Sequence, residues 1–190
     1  MEDVEKQRDL DRLQQSCLAT FIQAGTLDLS LDRVAVTVGI SKRMLIHYFG
    51  SRDALEAQVL TLFEDWLRQW LVGPGLPAGA TLASAIPVLW DQLTAPDSRS
   101  VLLLIMDIHR RGWQGSEHAK AFSLSQQRFW HELLTQLLPD TQAVEELLDL
   151  FQGAIVAYLI TGDRDQGTRS LQRMIQRFAN IGRSRWRIIR

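Results

Sequence analysis

The chain has 190 residues, 46% hydrophobic and 23% charged, enough to bury a core but too few for two large domains. A formal net charge of -1 excludes a general attraction to polyanions, so contact with nucleic acid must rest on where charge is placed, and a single cysteine, Cys17, excludes an internal disulfide. The apolar runs Val101 to Met106 and Ala154 to Ile160 are too short to span a bilayer, and Met1 to Asp11 alternates charges where a secretory signal would be apolar. The expectation is a reducing, cytoplasmic location with no membrane contact.

Apolar residues recur at three- and four-residue spacing almost throughout, and alternating β-branched runs bounded by turns are missing. An all-α fold of about nine helices is therefore predicted. The first helix runs from about Asp3 to Gln23 and stops near Gly25, with Leu10, Leu13, Cys17, Leu18 and Phe21 on one face. A second follows the N-cap candidate Ser30 and ends at Gly39; a third follows Ser41 and ends by Gly50. The fourth starts at Ser51, carries Leu55, Val59, Leu62, Phe63, Trp66 and Trp70 on its apolar side, and gives way to the loop Gly73-Pro74-Gly75-Leu76-Pro77. Further helices are predicted near Thr81 to Leu93, Ser98 to Arg111, Ser116 to Leu138, Thr141 to Ile160 and Gln166 to Gly182, separated by Pro96, Gly112, Pro139 and Gly162. Pro87 is expected to kink or divide the fifth, because proline removes a helical hydrogen bond.

The run Leu29 to Phe49 has the spacing of a helix-turn-helix. Gly39 permits the tight turn, and Val34, Ala35, Val38, Ile40, Leu45 and Phe49 are the residues that can close a small core between the two helices. Helical periodicity then puts Lys42, Arg43, Ile46 and His47 on the face opposite Leu45 and Phe49. Lys42, Arg43 and Arg52 fall within eleven residues that contain no Asp or Glu. That is where a recognition helix needs donors, near an N-terminus whose free N–H groups also attract phosphate. A plain helical hairpin with solvated cations has the same two-helix spacing.

The full run from Leu29 to Leu55, ending Tyr48-Phe49-Gly50-Ser51-Arg52-Asp53-Ala54-Leu55, closely resembles the DNA-binding domain of the tetracycline-repressor (TetR) family. The resemblance covers roughly the N-terminal third and implies a division into residues 1–50, a helix-turn-helix DNA-binding domain, and 51–190, a larger helical ligand-binding and dimerisation domain, with the fourth helix (about 51–71) joining them. By the same resemblance Ser30 and Ser41 cap helices at the phosphates, Lys42, Arg43, Met44, Ile46 and His47 face the bases, and Tyr48 and Arg52 face phosphate. Arg43 stands where the family commonly has a small residue and Ile46 where it has tyrosine. Arg43 suits a bidentate contact with guanine, and Ile46 suits a thymine methyl.

Of the six tryptophans, Trp66, Trp70, Trp90, Trp113 and Trp130 fall in the body, where ordinary packing and the lining of a ligand site are both open readings. Similar regulators hold small molecules among helices four to eight. Ile105, His109 and Trp113 repeat at four-residue spacing beside Met106, and His109 is either a ligand-recognising polar tip or a histidine satisfied within the core. His131, beside Trp130, is a candidate of the same sort.

The last two helices carry apolar stripes: Leu147, Leu148, Phe151, Ile155 and Leu159 on the eighth, Leu171, Met174, Ile175, Phe178 and Ile181 on the ninth. Arg169, Arg173 and Arg177 form a ladder on the ninth, and Glu145, Glu146 and Asp149 crowd the eighth. Two such helices from each of two chains would make a four-helix dimer interface; solvated charge is the plainer alternative. The tail Arg183, Arg185, Arg187 and Arg190, with Trp186, contains no acidic residue; a second nucleic-acid contact is one reading, and an interface edge or a free end is the plainer one.

The expected function is a ligand-responsive transcription regulator that binds a palindromic, inverted-repeat operator in double-stranded DNA as a homodimer and releases it on binding a small apolar or aromatic effector. No cofactor and no metal is expected. One alternative is a DNA-binding regulator governed by a partner protein. The other is an all-helical enzyme using His109, His118 and His131, although no paired metal-ligand or nucleophile-elbow pattern is present.

Overall fold

Helices begin where side chains satisfy the free N–H groups of a first turn. Ser30 Oγ accepts from the Arg33 N–H and Ser41 Oγ from the Met44 N–H, both at 3.2 Å, and Ser51 Oγ accepts from Ala54 at 3.1 Å. Thr81 and Ser84 form a reciprocal capping box, and Asp140 caps the helix that follows it. The computed structural model describes residues 2–73, 79–138 and 140–185. Among them are nine α-helices and no strand: α1 (Glu2–Ala24), α2 (Leu31–Val38), α3 (Lys42–Phe49), α4 (Arg52–Val72), α5 (Leu82–Leu93), α6 (Arg99–Trp113), α7 (Glu117–Thr135), α8 (Thr141–Thr161) and α9 (Arg164–Arg185), with a short 3-10 turn at Pro96–Ser98. No helix among the described residues is long and apolar enough to cross a membrane. The expected loop at 74–77, Pro139 and the tail residues Trp186, Arg187 and Arg190 lie outside the described residues, as do the side chains of Ile181, Arg183 and Arg185.

Two expected divisions between helices are corrected. Pro87 lies inside α5 without dividing it. Gly112 does not end α6, which runs on to Trp113; instead a Cβ at Gly112 would stand 3.1 Å from the Lys120 backbone, so its bare surface lets the first turn of α7 come close.

The chain forms two compact units, Met1–Trp70 with Ser100–Ser125, and Leu71–Arg99 with Gln126–Arg190. In the first, α1 packs on α2 and α2 on α3, burying Cys17, Phe21, Val34, Ala35, Leu45 and Phe49. Val38 and Ile40 remain half-buried. Burial pushes the Cys17 thiol up to about 11, so it stays protonated as an inert packing group.

In the second unit α9 packs on α8 and α5. Trp90 of α5, 2% exposed, is the largest fully buried side chain among the described residues. Its Nε1–H donates to Thr168 Oγ1 at 2.9 Å, and its ring meets Phe151 and Tyr158 edge-on at centroid distances of 5.8 and 6.3 Å. Gly167 makes this possible, since a Cβ there would lie 2.3 Å from the indole.

Candidate nucleic-acid interface

The turn between α2 and α3 is built on Gly39, whose φ of 78° is open to glycine at little cost and whose N–H returns to the carbonyls of Ala35 and Val36. With Leu45 and Phe49 buried, helical geometry forces the remaining side chains of α3 outward. Lys42, Arg43, Met44, Ile46, His47 and Tyr48 are all exposed. The apolar pair is the unusual feature, because Met44 and Ile46 are 40% and 41% exposed although a water-facing helix gains nothing from them. Val36 of α2 is exposed further still.

Charge on this surface is partly committed. Lys42 Nζ lies 2.8 Å from Asp32 Oδ2, an exposed ion pair, whereas Arg43 has no ion-pair partner among the described residues. The rings of His47 and Tyr48 meet edge-on at 5.7 Å. Arg52 is placed differently from the other expected contacts. Its guanidinium donates to the Leu29 carbonyl and, at 2.7 Å, to the Leu27 carbonyl, tying the first turn of α4 to the segment that leads into Ser30.

The same segment is held from α6 by a group that local sequence patterns do not signal. Asp107 Oδ2 accepts from the Leu27 N–H at 2.8 Å and the Thr26 hydroxyl at 2.9 Å, while its Oδ1 accepts from Arg110 at 2.6 Å. Arg111 completes the cluster, reaching Asp107, Glu56 of α4 and Asp28 at 3.2–3.3 Å. Burial alone would raise the Asp107 carboxyl, but the bonds from Arg110, Leu27 and Thr26 and the charge of Arg111 outweigh it and hold the pKa below its ordinary 3.8. Leu27 to Ser30 is thus fixed on both sides by buried or half-buried polar contacts.

The residues expected at an effector site are divided between the units. In the first, Phe63, Trp66 and Trp70 stack in series along α4, at 5.8 and 5.3 Å, with Phe122 on the other side of Phe63 at 5.6 Å. Met106 is half-buried, and His109 Nδ1 pairs with Ser123 Oγ at 2.7 Å. His109 keeps contact with solvent, but burial of its imidazole lowers its pKa from 6.5. Trp113 does not share the shelter of that stripe, because it sits at the end of α6 and is 93% exposed. In the second unit Trp90 is enclosed as described, and Trp130 is half-buried with its ring edge-on to Phe129 at 5.3 Å. Among the described residues no group of three or more His, Cys, Asp or Glu is arranged to hold a metal.

Of the residues expected at a dimer interface, Leu171 is fully buried within the chain and Phe151 faces Trp90, while Leu148, Ile155, Leu159, Met174, Ile175 and Phe178 are half-buried. The most open apolar positions of α8 are Val156 and Ile160, next to Gly153, where a Cβ would meet nothing within 4 Å. Arg177 of the ninth-helix ladder pairs with Glu146 at 3.2 Å.

Residues 17–59, which contain α2 and α3 entire, match the family model of bacterial regulatory proteins, tetR family. No curated protein matches the chain in sequence. Among solved structures, the chain is similar to a transcriptional regulator from Rhodococcus sp. Rha1, with a TM-score of 0.70 and 16% identity over 90% of this chain and 96% of that one. It is similar also to a protein from Rhodococcus sp. described as a TetR-family transcriptional regulator, with a TM-score of 0.67 and 16% identity over 89% of this chain and 97% of that one. At that identity the two structures speak for the fold, and the family match speaks for the helix-turn-helix within it. Residues 17–59 thus carry a helix-turn-helix that matches the tetR family's, displayed at the surface of the first unit, and the fold of the chain is similar to those of the two regulators.

Proposed function

We propose that the protein binds an inverted-repeat operator as a homodimer and is a repressor released by a small apolar or aromatic effector. The observation that carries the reading is α3, whose outward residues Arg43, Met44, Ile46 and His47 are all exposed while Leu45 and Phe49 anchor it from behind. Two copies related by a two-fold axis set their recognition helices in successive major grooves, about 34 Å apart. Arg43 reads guanine through two parallel hydrogen bonds, and Met44 and Ile46 meet thymine methyl groups. Ser30, Ser41 and Tyr48 meet phosphate, and Lys42 exchanges Asp32 for phosphate on binding. Arg52 serves by holding Leu27 and Leu29 in place, with both carbonyls already on its guanidinium.

For the dimer, the open apolar positions Gly153, Val156 and Ile160 of α8 supply a surface that water disfavours, with the exposed acidic residues Glu145 and Asp149 earlier on the same helix. Residues 1–50 read DNA, and 51–190 dimerise and take the effector. The effector acts by favouring a spacing of the two α3 helices that no longer fits the duplex, which requires unequal affinity for the two states. Within the first unit, α4 carries Arg52 at one end and the stacked Trp66 and Trp70 towards the other, so a tilt at the tryptophans moves the segment before Ser30.

Selection of bound duplexes from a random pool tests this directly. A palindromic consensus with half-sites one helical turn apart is the expected result; enrichment of a single asymmetric site, or of nothing, overturns it.

A further inference from the structure

Gln126 lies on the buried side of α7, which is otherwise apolar, with Leu133 and Leu134 on the same side. The residue is 6% exposed, and neither Oε1 nor Nε2 of its amide meets a hydrogen-bonding partner among the described residues. A primary amide offers one carbonyl acceptor and two N–H donors, and burying all of them unpaired costs more than an apolar side chain of the same size would. One turn further along α7, Phe129 and Trp130 are half-buried with their rings edge-on at 5.3 Å.

We propose that Gln126 is the polar recognition group of the effector site, and that the effector is a flat molecule presenting an N–H and a carbonyl side by side, as a lactam, imide or cis-amide does. This rests on the effector-responsive reading above and names the ligand class for it. Oε1 accepts from the ligand N–H while Nε2 donates to the ligand carbonyl, two parallel bonds that satisfy both partners at once. A carboxylate fits badly: ionised, it has acceptors alone, leaving Oε1 unpaired against negative charge in a buried place. The aromatic edges of Phe129 and Trp130 suit a planar ring system rather than a bulky saturated one. A buried orphan amide is a stability cost of the kind that proteins retain at functional sites.

The test uses the full chain and Gln126→Met, which keeps the length of the side chain and removes its polarity, with Gln126→Leu as a second apolar variant. Thermal unfolding of the free proteins comes first. The apolar variants are expected to melt about 2–4 °C higher, the shift that roughly a fivefold gain in the folding equilibrium gives a chain of this length. Lower melting of both shows that the amide is partnered in the free protein and overturns the proposal. Calorimetric titration with 2-quinolone and with naphthalene, which share shape but not the lactam, comes second. Wild type is expected to prefer 2-quinolone by about tenfold or more, because the lactam alone satisfies the amide, and Gln126→Met is expected to lose that preference while still taking naphthalene. Equal affinity of wild type for both, or binding of neither, overturns the assignment to Gln126. A lactam that binds through Gln126 but leaves the operator complex intact at saturation defeats the effector-responsive reading instead, so the two failures are told apart.

Discussion

The backbone N–H of Leu27 donates to the carboxylate of Asp107 across 2.8 Å, joining residues eighty positions apart in the chain. Leu27 is fully buried, so an N–H there without a partner carries the full cost of its lost hydration. Asp107→Ala is expected to lower stability by about 1–3 kcal/mol, read as a fall in the urea midpoint. Because the folded pKa of Asp107 lies below its unfolded value, its contribution is complete above the ordinary 3.8 and is lost as pH falls through the depressed folded value. Wild type is therefore expected to lose stability on acidification below about pH 4 more steeply than Asp107→Asn does; parallel curves would refute the assignment.

Arg43 and Arg52 are expected to separate in DNA binding. Arg43→Ala is expected to cost about 1–3 kcal/mol on a selected operator and little on random duplex, because it removes a base contact. Arg52→Ala weakens both duplexes alike, yet leaves the salt slope nearly unchanged, since its guanidinium is occupied by the Leu27 and Leu29 carbonyls. A drop of about one in the slope of log K against log salt would mean that Arg52 touches phosphate directly.

Met44 and Ile46 are expected to read methyl groups. Replacing operator thymines by deoxyuridine removes the methyl and leaves base pairing intact, so affinity should fall several-fold at the contacted positions and nowhere else. Ile46→Ala should abolish that sensitivity at one position of each half-site. Competition binding with singly substituted duplexes gives the answer.

His109 has its pKa lowered from 6.5 by burial, so its neutral form is the one that the fold favours. For a base with a depressed folded pKa, stability is complete above the unfolded value and declines as pH falls through 6.5 towards the folded one. Wild type is expected to lose stability between pH 7 and pH 5 relative to His109→Gln, which retains a partner for Ser123 without a titrating ring. Melting temperatures across that range suffice to check it.

What could be read from the sequence is what depends on near neighbours. Ser30, Ser41 and Ser51 announce helix starts because a cap bonds three residues on, and Gly39 announces the turn because few other residues adopt its backbone angles. The buried and exposed sides of α3 follow from periodicity alone. Periodicity fails where burial depends on distant chain. Ile105, His109 and Trp113 share a stripe, yet α6 ends at Trp113 and none of the described residues covers that indole. On α8 the pattern points to Leu148, Ile155 and Leu159, while the most open apolar positions are Val156 and Ile160, because which side of an apolar helix meets α9 is decided by tertiary packing. Asp107 and Gln126 look like ordinary surface residues in sequence, and only the folded neighbourhood singles them out.

The contact between Trp90 and Gly167 binds the histories of two positions. Any methyl or larger group at 167 would intrude on space that the indole fills, and shrinking the indole alone would open a void beneath α9. Descendants of this chain can therefore exchange bulk between these sites only by changing both. A relative with alanine or serine at the second position should carry a smaller ring, or none, at the first.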